Sequence, residues 1–191
     1  MANSRLSIIV PTPDGDGLDR LIASMRPQLV AGDEVIIVGD THEGPLPHVE
    51  GICRVHGFRY LEHDARGHAW GHPQINQGIR AATGDYLVFI DDDDVFAPEG
   101  LWAIRQAIAE LTEPRVLMFR FHCGRLGRTL PETHAVIADA IGGHCIVPPN
   151  IPAKLGEWSD RYGGDYDFIT STLAHWPEGP VWRDEIIAIA R

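Results

Sequence analysis

Apolar and polar positions fall into alternating blocks over the first 120 residues. "RLSIIVPT" is rich in β-branched residues and closes at Pro11 and Pro13, which predicts a strand. Leu18, Leu21, Ile22 and Met25 follow at helical spacing, so a helix starts after the glycines of "DGDG". "DEVIIVGD" predicts a second strand over Glu34 to Gly39 with Asp40 at its tip, and "GFRYLE" a short third one over Gly57 to Glu62. Ile75, Ile79 and Ala82 share a helical face that ends at Gly84, a suitable C-cap. Tyr86 to Ile90 is a continuous apolar run, the mark of a buried strand in a mostly parallel sheet. Leu101, Ile104, Ile108 and Leu111 then predict a helix, with Pro98 in its first turn. "RVLMFRFHC" predicts another strand, "YGGDYDFITSTLAHW" a helix and "GPVWRDEIIAIAR" a closing strand or two. Between them the pattern weakens into short strands and turns.

Strand and helix thus alternate as in a doubly wound α/β sheet, where ligands bind beyond the carboxyl ends of the strands. Polar residues cluster at three such ends: Thr12 with Asp14, Asp40, and the run Asp91-Asp92-Asp93-Asp94. Two unit charges about 4 Å apart repel by roughly 4 kcal/mol at an effective dielectric near 20. Four adjacent carboxylates therefore call for solvent or a cation. Mg²⁺ and Mn²⁺ prefer oxygen ligands and commonly bridge carboxylates to phosphates. The plainer alternative is a solvated loop whose aspartates cap the next helix.

A chain of 191 residues suits a single domain. With 27 acidic against 16 basic side chains the net charge is −11, and no basic patch favours nucleic acid or anionic lipid. No apolar run approaches the roughly 20 residues that span a bilayer, and "MANSRLSIIVPTP" enters a strand without a signal-peptide layout. The expected location is cytoplasmic. Cys53, Cys123 and Cys145 are odd in number and widely spaced, so neither a disulfide framework nor a thiolate zinc site is expected.

"LSIIVPTPD", "DEVIIVGD", "INQGIRAATGDYLVFIDDDDVFAPEGL" and "YGGDYDFI" together resemble the successive motifs of GT-A fold, family 2-type glycosyltransferases. The resemblance covers residues 5 to about 112 in order and spacing, and more thinly 140 to 175; Asn76 to Leu101 is its specific part. It implies a nucleotide-sugar-binding half over about residues 1–120 and a short, irregular acceptor and catalytic half over about 121–191. Pro11, Thr12, Asp14 and Asp40 would hold the nucleoside. The family's DxD motif falls on Asp91-Asp92-Asp93, with Asp93 and Asp91 as metal ligands, Asp91 or Asp92 near ribose and phosphates, and Asp94 as a helix cap. The late acidic motif places Asp165 as the general base of an inverting displacement, Asp167 being the fallback. The implied cofactor is Mn²⁺ or Mg²⁺, the donor a nucleotide-diphosphate sugar, with UDP-sugars favoured, and the acceptor soluble: a protein, a glycan or a small molecule. Gly39 and Gly164 stand where the family usually carries acids, which leaves a catalytically degenerate binding module open as an alternative. A sugar-phosphate nucleotidyltransferase would need a basic glycine-rich loop, and "PTPDGDGLDR" is acidic.

Histidines and tryptophans offer further candidates. His68 and His72 are four apart, but Gly67, Gly71 and Pro73 argue for a loop rather than a zinc-binding helix face. Trp70 in that loop is a candidate to stack on a base. His144 and His175 fall in the second half, where the resemblance allows a late histidine as an additional metal ligand, although surface or core placement is expected for each. Trp158, Trp176 and Trp182 are read as core before sugar-stacking surface.

Overall fold

A computed structural model describes residues 4–64 and 70–191. The described elements, in chain order, are β1 (Leu6–Thr12), α1 (Leu18–Met25), β2 (Glu34–Asp40), α2 (Pro47–His56), β3 (Arg59–His63), α3 (His72–Ala81), β4 (Tyr86–Phe89), β5 (Val95–Phe96), α4 (Gly100–Ala109), β6 (Leu117–Cys123), β7 (Arg128–Leu130), β8 (Ile146–Val147), α5 (Gly164–Leu173) and β9 (Val181–Ala190). The first sheet has the order β3-β2-β1-β4, with every pairing parallel. Its central strand β1 is buried throughout, as its unbroken apolar run requires. Each fully buried Leu or Ile there contributes roughly 1.5–3 kcal/mol. α1 buries Leu18, Leu21, Ile22 and Met25, and α4 buries Leu101, Ile104 and Ile108. α3 lies so close to β1 that a Cβ at Gly78 would stand 2.5 Å from Ile9 Cγ2.

The second half is more regular than its weak pattern implies. A second sheet runs β5-β9-β6-β7 with β8 on β6, and β6 and β9 pair in parallel. It draws β5 from the first half and joins the first sheet along β4. There Leu87 N donates to Pro148 O at 3.0 Å, and Asn150 N to Asp85 O at 2.9 Å.

Several local expectations need correction. α2 was not anticipated: it buries only Val49 and Cys53, so its apolar stripe is too thin to show a period. α3 ends at Ala81 and not at Gly84, because Ala82 is already extended. Gly84 instead serves close approach, since a Cβ there would stand 2.6 Å from Ser7 Oγ. Pro98 precedes α4, which begins at Gly100 and leaves Leu111 past its end. Trp158 and Trp176 are core, Trp182 is half-buried and stacks on His134, and the three cysteines are buried and unpaired.

α1 begins directly beneath the acidic tip. A Cβ on Gly17 would overlap the Asp92 carbonyl and stand 2.6 Å from Asp93 Cα, both backbone atoms with no easy escape. Gly17→Ala should therefore destabilise the fold by about 1–3 kcal/mol, the usual cost of overpacking. Gly51→Ala, in α2 with nothing within 4 Å of the new methyl, should instead stabilise by up to about 1 kcal/mol. Urea denaturation of the two variants checks this; equal midpoints would show that the tip does not rest on α1.

Candidate active site

The acidic run leaves β4 and turns within the Asp91–Asp94 segment, where Asp94 N donates to Asp91 O at 3.2 Å. Its four side chains go to different places. Asp91 and Asp93 are exposed toward a cleft of about 780 Å³, whereas Asp92 and Asp94 are buried. Asp92 turns back onto β1, accepting the Thr12 hydroxyl, which in turn accepts Gly15 N at 2.7 Å. Thr12 is therefore fully engaged in fastening the tip to its neighbouring strand. Asp94 accepts Arg191 N at 2.9 Å on one oxygen and pairs with His144 Nε2 at 2.6 Å on the other. It does not cap α4, whose N-cap is Glu99 with no side-chain hydrogen bond.

His144 comes from a 3-10 turn between β7 and β8 and reaches the acidic tip, where the favoured expectation was a surface or core histidine. Ligand atoms of Asp91, Asp94 and His144 all lie within 4.8 Å of one another. Burial deep in the cleft pushes Asp91 up to about 6, opposed by His144 and reinforced by Asp94, Asp93 and Asp165; its outer surface still faces open solvent. Asp92 is likewise pushed up to about 6, by burial first, against the Thr12 hydrogen bond. For His144 burial disfavours the charge, but the Asp94 hydrogen bond and the nearby carboxylates outweigh it and raise its pKa. Asp91 and Asp92 thus keep their protons to a higher pH than ordinary carboxylates. Two carboxylates and an imidazole form a donor set that fits a divalent ion, and the mixture suits Mn²⁺ better than Mg²⁺.

Across the cleft, α5 presents Asp165 in its first turn. Burial raises the Asp165 pKa, while the Tyr166 N–H it accepts at 2.7 Å and the nearby His72 hold it down. Asp167 is differently placed. Ser159 Oγ and Arg161 both donate to it and hold its pKa below the usual range, and it does not line the cleft. Asp165 is the better-placed proton acceptor of the two.

The glycines at 39 and 164 have a steric reason. A Cβ at Gly39 would stand 2.6 Å from the Tyr60 hydroxyl. One at Gly164 would overlap Ser159 O and stand 2.5 Å from His72 Nδ1. His72 is buried, lines the cleft, and shares a hydrogen bond at 2.8 Å between Nδ1 and Ser159 O. It fills the room a longer residue at position 164 would need.

Asp40 and Asp14 accept the backbone N–H groups of His42 at 2.9 Å and Asp16 at 3.0 Å. They sit with Pro11 and Thr12 at the β1 and β2 tips, and none of these four lines the cleft. The sites proposed from sequence therefore form two groups, a cleft group (Asp91, Asp93, Asp165) and a strand-tip group. His175, exposed beyond α5, is not in the cleft, and His68 lies outside the described residues.

The sequence profile described as glycosyl transferase family 2 matches residues 7–142. An uncharacterized glycosyltransferase of Haemophilus influenzae is 25% identical over 185 residues, covering 88% of this chain and 62% of its own length. The chain therefore spans about three-fifths of that relative. Among solved structures, S. aureus TarS 1-349 in complex with UDP superposes with a TM-score of 0.72 at 16% identity, over 97% of this chain and 60% of that one. The mannosyltransferase PcManGT of Pyrobaculum calidifontis, in complex with GDP-Man and Mn²⁺, gives 0.69 at 16% identity, over 99% and 57%. At these identities the structural likeness speaks for the α/β fold. No described helix is long and apolar enough to cross a membrane.

Proposed function

The chain belongs to glycosyl transferase family 2, and from that membership we propose that it moves a sugar from a nucleoside-diphosphate donor to an acceptor hydroxyl, with inversion and with a divalent cation at the acidic tip. The observation that carries this reading is the convergence of Asp91, Asp93, Asp94, His144 and Asp165 on one cleft. Asp91, Asp94 and His144 are the residues whose atoms are close enough to hold the ion, and Asp93 stands beside them on the same turn. When bound, the ion would supply positive charge to the departing diphosphate.

Asp165 takes the acceptor hydroxyl's proton as that oxygen attacks the anomeric carbon from the face opposite the leaving group. The bond from that carbon to the diphosphate oxygen breaks, and its electron pair leaves with the nucleotide. Asp92 and Thr12 act from below, holding the turn on β1 so that Asp91 and Asp93 face the cleft. Pro11, Asp14 and Asp40, at the adjoining strand tips, would take the nucleoside end of the donor. Residues up to about 120 would thus carry the donor and the remainder the acceptor.

A thermal-shift panel of UDP, GDP and ADP, with Mn²⁺ or with excess EDTA, tests the reading. One diphosphate should raise Tm only with the metal; at a hundred times its Kd the gain is about 2.7 kcal/mol. The gain should also depend on pH. Folded Asp91 and Asp92 hold protons up to about 6, against roughly 3.9 when unfolded. The metal-free fold is thus favoured below about 4 and loses that contribution as pH rises through 6, where the carboxylates charge without a counterion. Mn²⁺ should therefore add more to Tm at pH 7 than at pH 5. Equal shifts in excess EDTA would remove the cation from the mechanism.

A further inference from the structure

We propose that Trp70 and Tyr162 form a platform for a pyranose ring of the acceptor, which makes the acceptor a carbohydrate or a glycoside. This rests on the transferase reading above. Trp70 is 51% exposed and Tyr162 64% exposed, unusual for aromatic side chains that touch each other. Their rings meet edge to face, with centroids 5.3 Å apart, across 92 positions of sequence. Neither belongs to the core. Trp158 and Phe89 already close the inner wall of the cleft, buried and in edge contact at 5.3 Å.

The pair is fixed relative to Asp165. Tyr162 lies three residues before it, linked through Gly163 at φ +84° and Gly164, and its carbonyl accepts Arg161 at 3.0 Å. Trp70 is followed by Gly71 and by His72, which joins Ser159. Four residues on from His72, Asn76 holds the Trp158 backbone by hydrogen bonds of 2.8 and 3.1 Å. These bonds staple the two aromatic-bearing segments together before any ligand arrives. Ordering a flexible aromatic on binding would cost affinity; a preformed pair avoids that.

The chemistry of the surrounding wall selects the occupant. Trp70, Tyr162 and Asp165 line the same cleft with Arg125, Asp139 and Arg161. An aromatic surface among charged hydrogen-bonding groups matches a ring that has an apolar C–H face and hydroxyls at its rim. A hydrocarbon chain would displace water from Arg125 and Asp139 without offering either a hydrogen bond. The molecule lying between the platform and Asp165 is the one whose hydroxyl Asp165 deprotonates, which identifies it as the acceptor.

Ligand-observed saturation-transfer NMR on the full chain tests this. The probes are methyl glucoside, galactoside, mannoside and N-acetylglucosaminide, each with the stabilising nucleoside diphosphate and Mg²⁺ present. At least one should bind, with saturation strongest on its ring C–H protons. Trp70→Ala and Tyr162→Ala should each weaken that pyranoside by about tenfold, the size of a good aromatic contact, and Tyr162→Phe should retain it. Diphosphate affinity is measured on the same variants by thermal shift. If Trp70→Ala weakens the diphosphate instead, the ring belongs to the donor and the platform is wrong. If the diphosphate binds and no pyranoside does, the platform fails while the transferase reading stands. Failure of both ligands overturns both.

Discussion

Replacing Asp165 with asparagine should lower the rate of sugar transfer by roughly 10² to 10⁴, the usual size of a general-base contribution, while donor affinity and metal dependence stay near those of the parent. The asparagine keeps the shape and can still accept the Tyr166 N–H through its carbonyl oxygen, but it cannot take the acceptor's proton. Lost turnover with intact donor binding reads as removal of an interaction made only in the transition state. Asp167→Asn makes the internal comparison. Its carboxylate is already spent on Ser159 and Arg161, so that variant should loosen the loop before α5 rather than stop the chemistry. Single-turnover rates on both variants decide the matter. Normal turnover in Asp165→Asn together with loss in Asp167→Asn would exchange their roles.

Loss of a cation ligand should give the opposite signature, with donor binding failing first. Asp91→Asn should weaken Mn²⁺-dependent diphosphate binding by at least the 10–100-fold that loss of a mere outer-shell partner costs. Asp93 and His144 then separate the family resemblance from the geometry found here. If the ion sits among Asp91, Asp94 and His144, His144→Gln should match Asp91→Asn, and Asp93→Asn should cost less. Glutamine is the informative choice because its amide can still donate to the buried Asp94, whereas alanine would strand that carboxylate. Calorimetric Mn²⁺ titrations in the presence of diphosphate give the ranking. Full Mn²⁺ affinity in His144→Gln with loss in Asp93→Asn would put the ion on the outer side of the turn.

Strands β1, β2 and β4 could be read from sequence because each is a continuous apolar run ending in polar residues, and the acidic tip was visible as charge placed directly after such a run. Asp165, which lines the cleft, was singled out through resemblance to a family motif, not through any period. His144 was named with His175 as a possible extra metal ligand, but the sequence could not choose between them or pair either with an aspartate. His144 lies 50 residues from Asp94 in a 3-10 turn, so no local spacing links them, and the pairing of β8 with β6 is part of what brings the turn to the tip. Asp94 was misread for the same reason: its partners, His144 and Arg191, are distant in sequence, while the helix it resembles a cap for is adjacent. Gly39 and Gly164 looked like missing acids. Their explanation is the volume of Tyr60 and of His72, which a linear pattern does not display.

The Asn76 staple makes tolerance to sequence change one-sided. Its amide donates to Trp158 O and accepts from Trp158 N, so both of its partners are main-chain atoms that any residue but proline at position 158 would supply. Position 158 can change as far as core packing permits without breaking the link. Position 76 must instead keep a short side chain carrying a donor and an acceptor together, a demand that aspartate meets by half and leucine not at all. Substitution is therefore tolerated at position 158 and not at position 76. A recombined chain that takes these two segments from different parents would remain joined here whenever the α3 segment brings the asparagine.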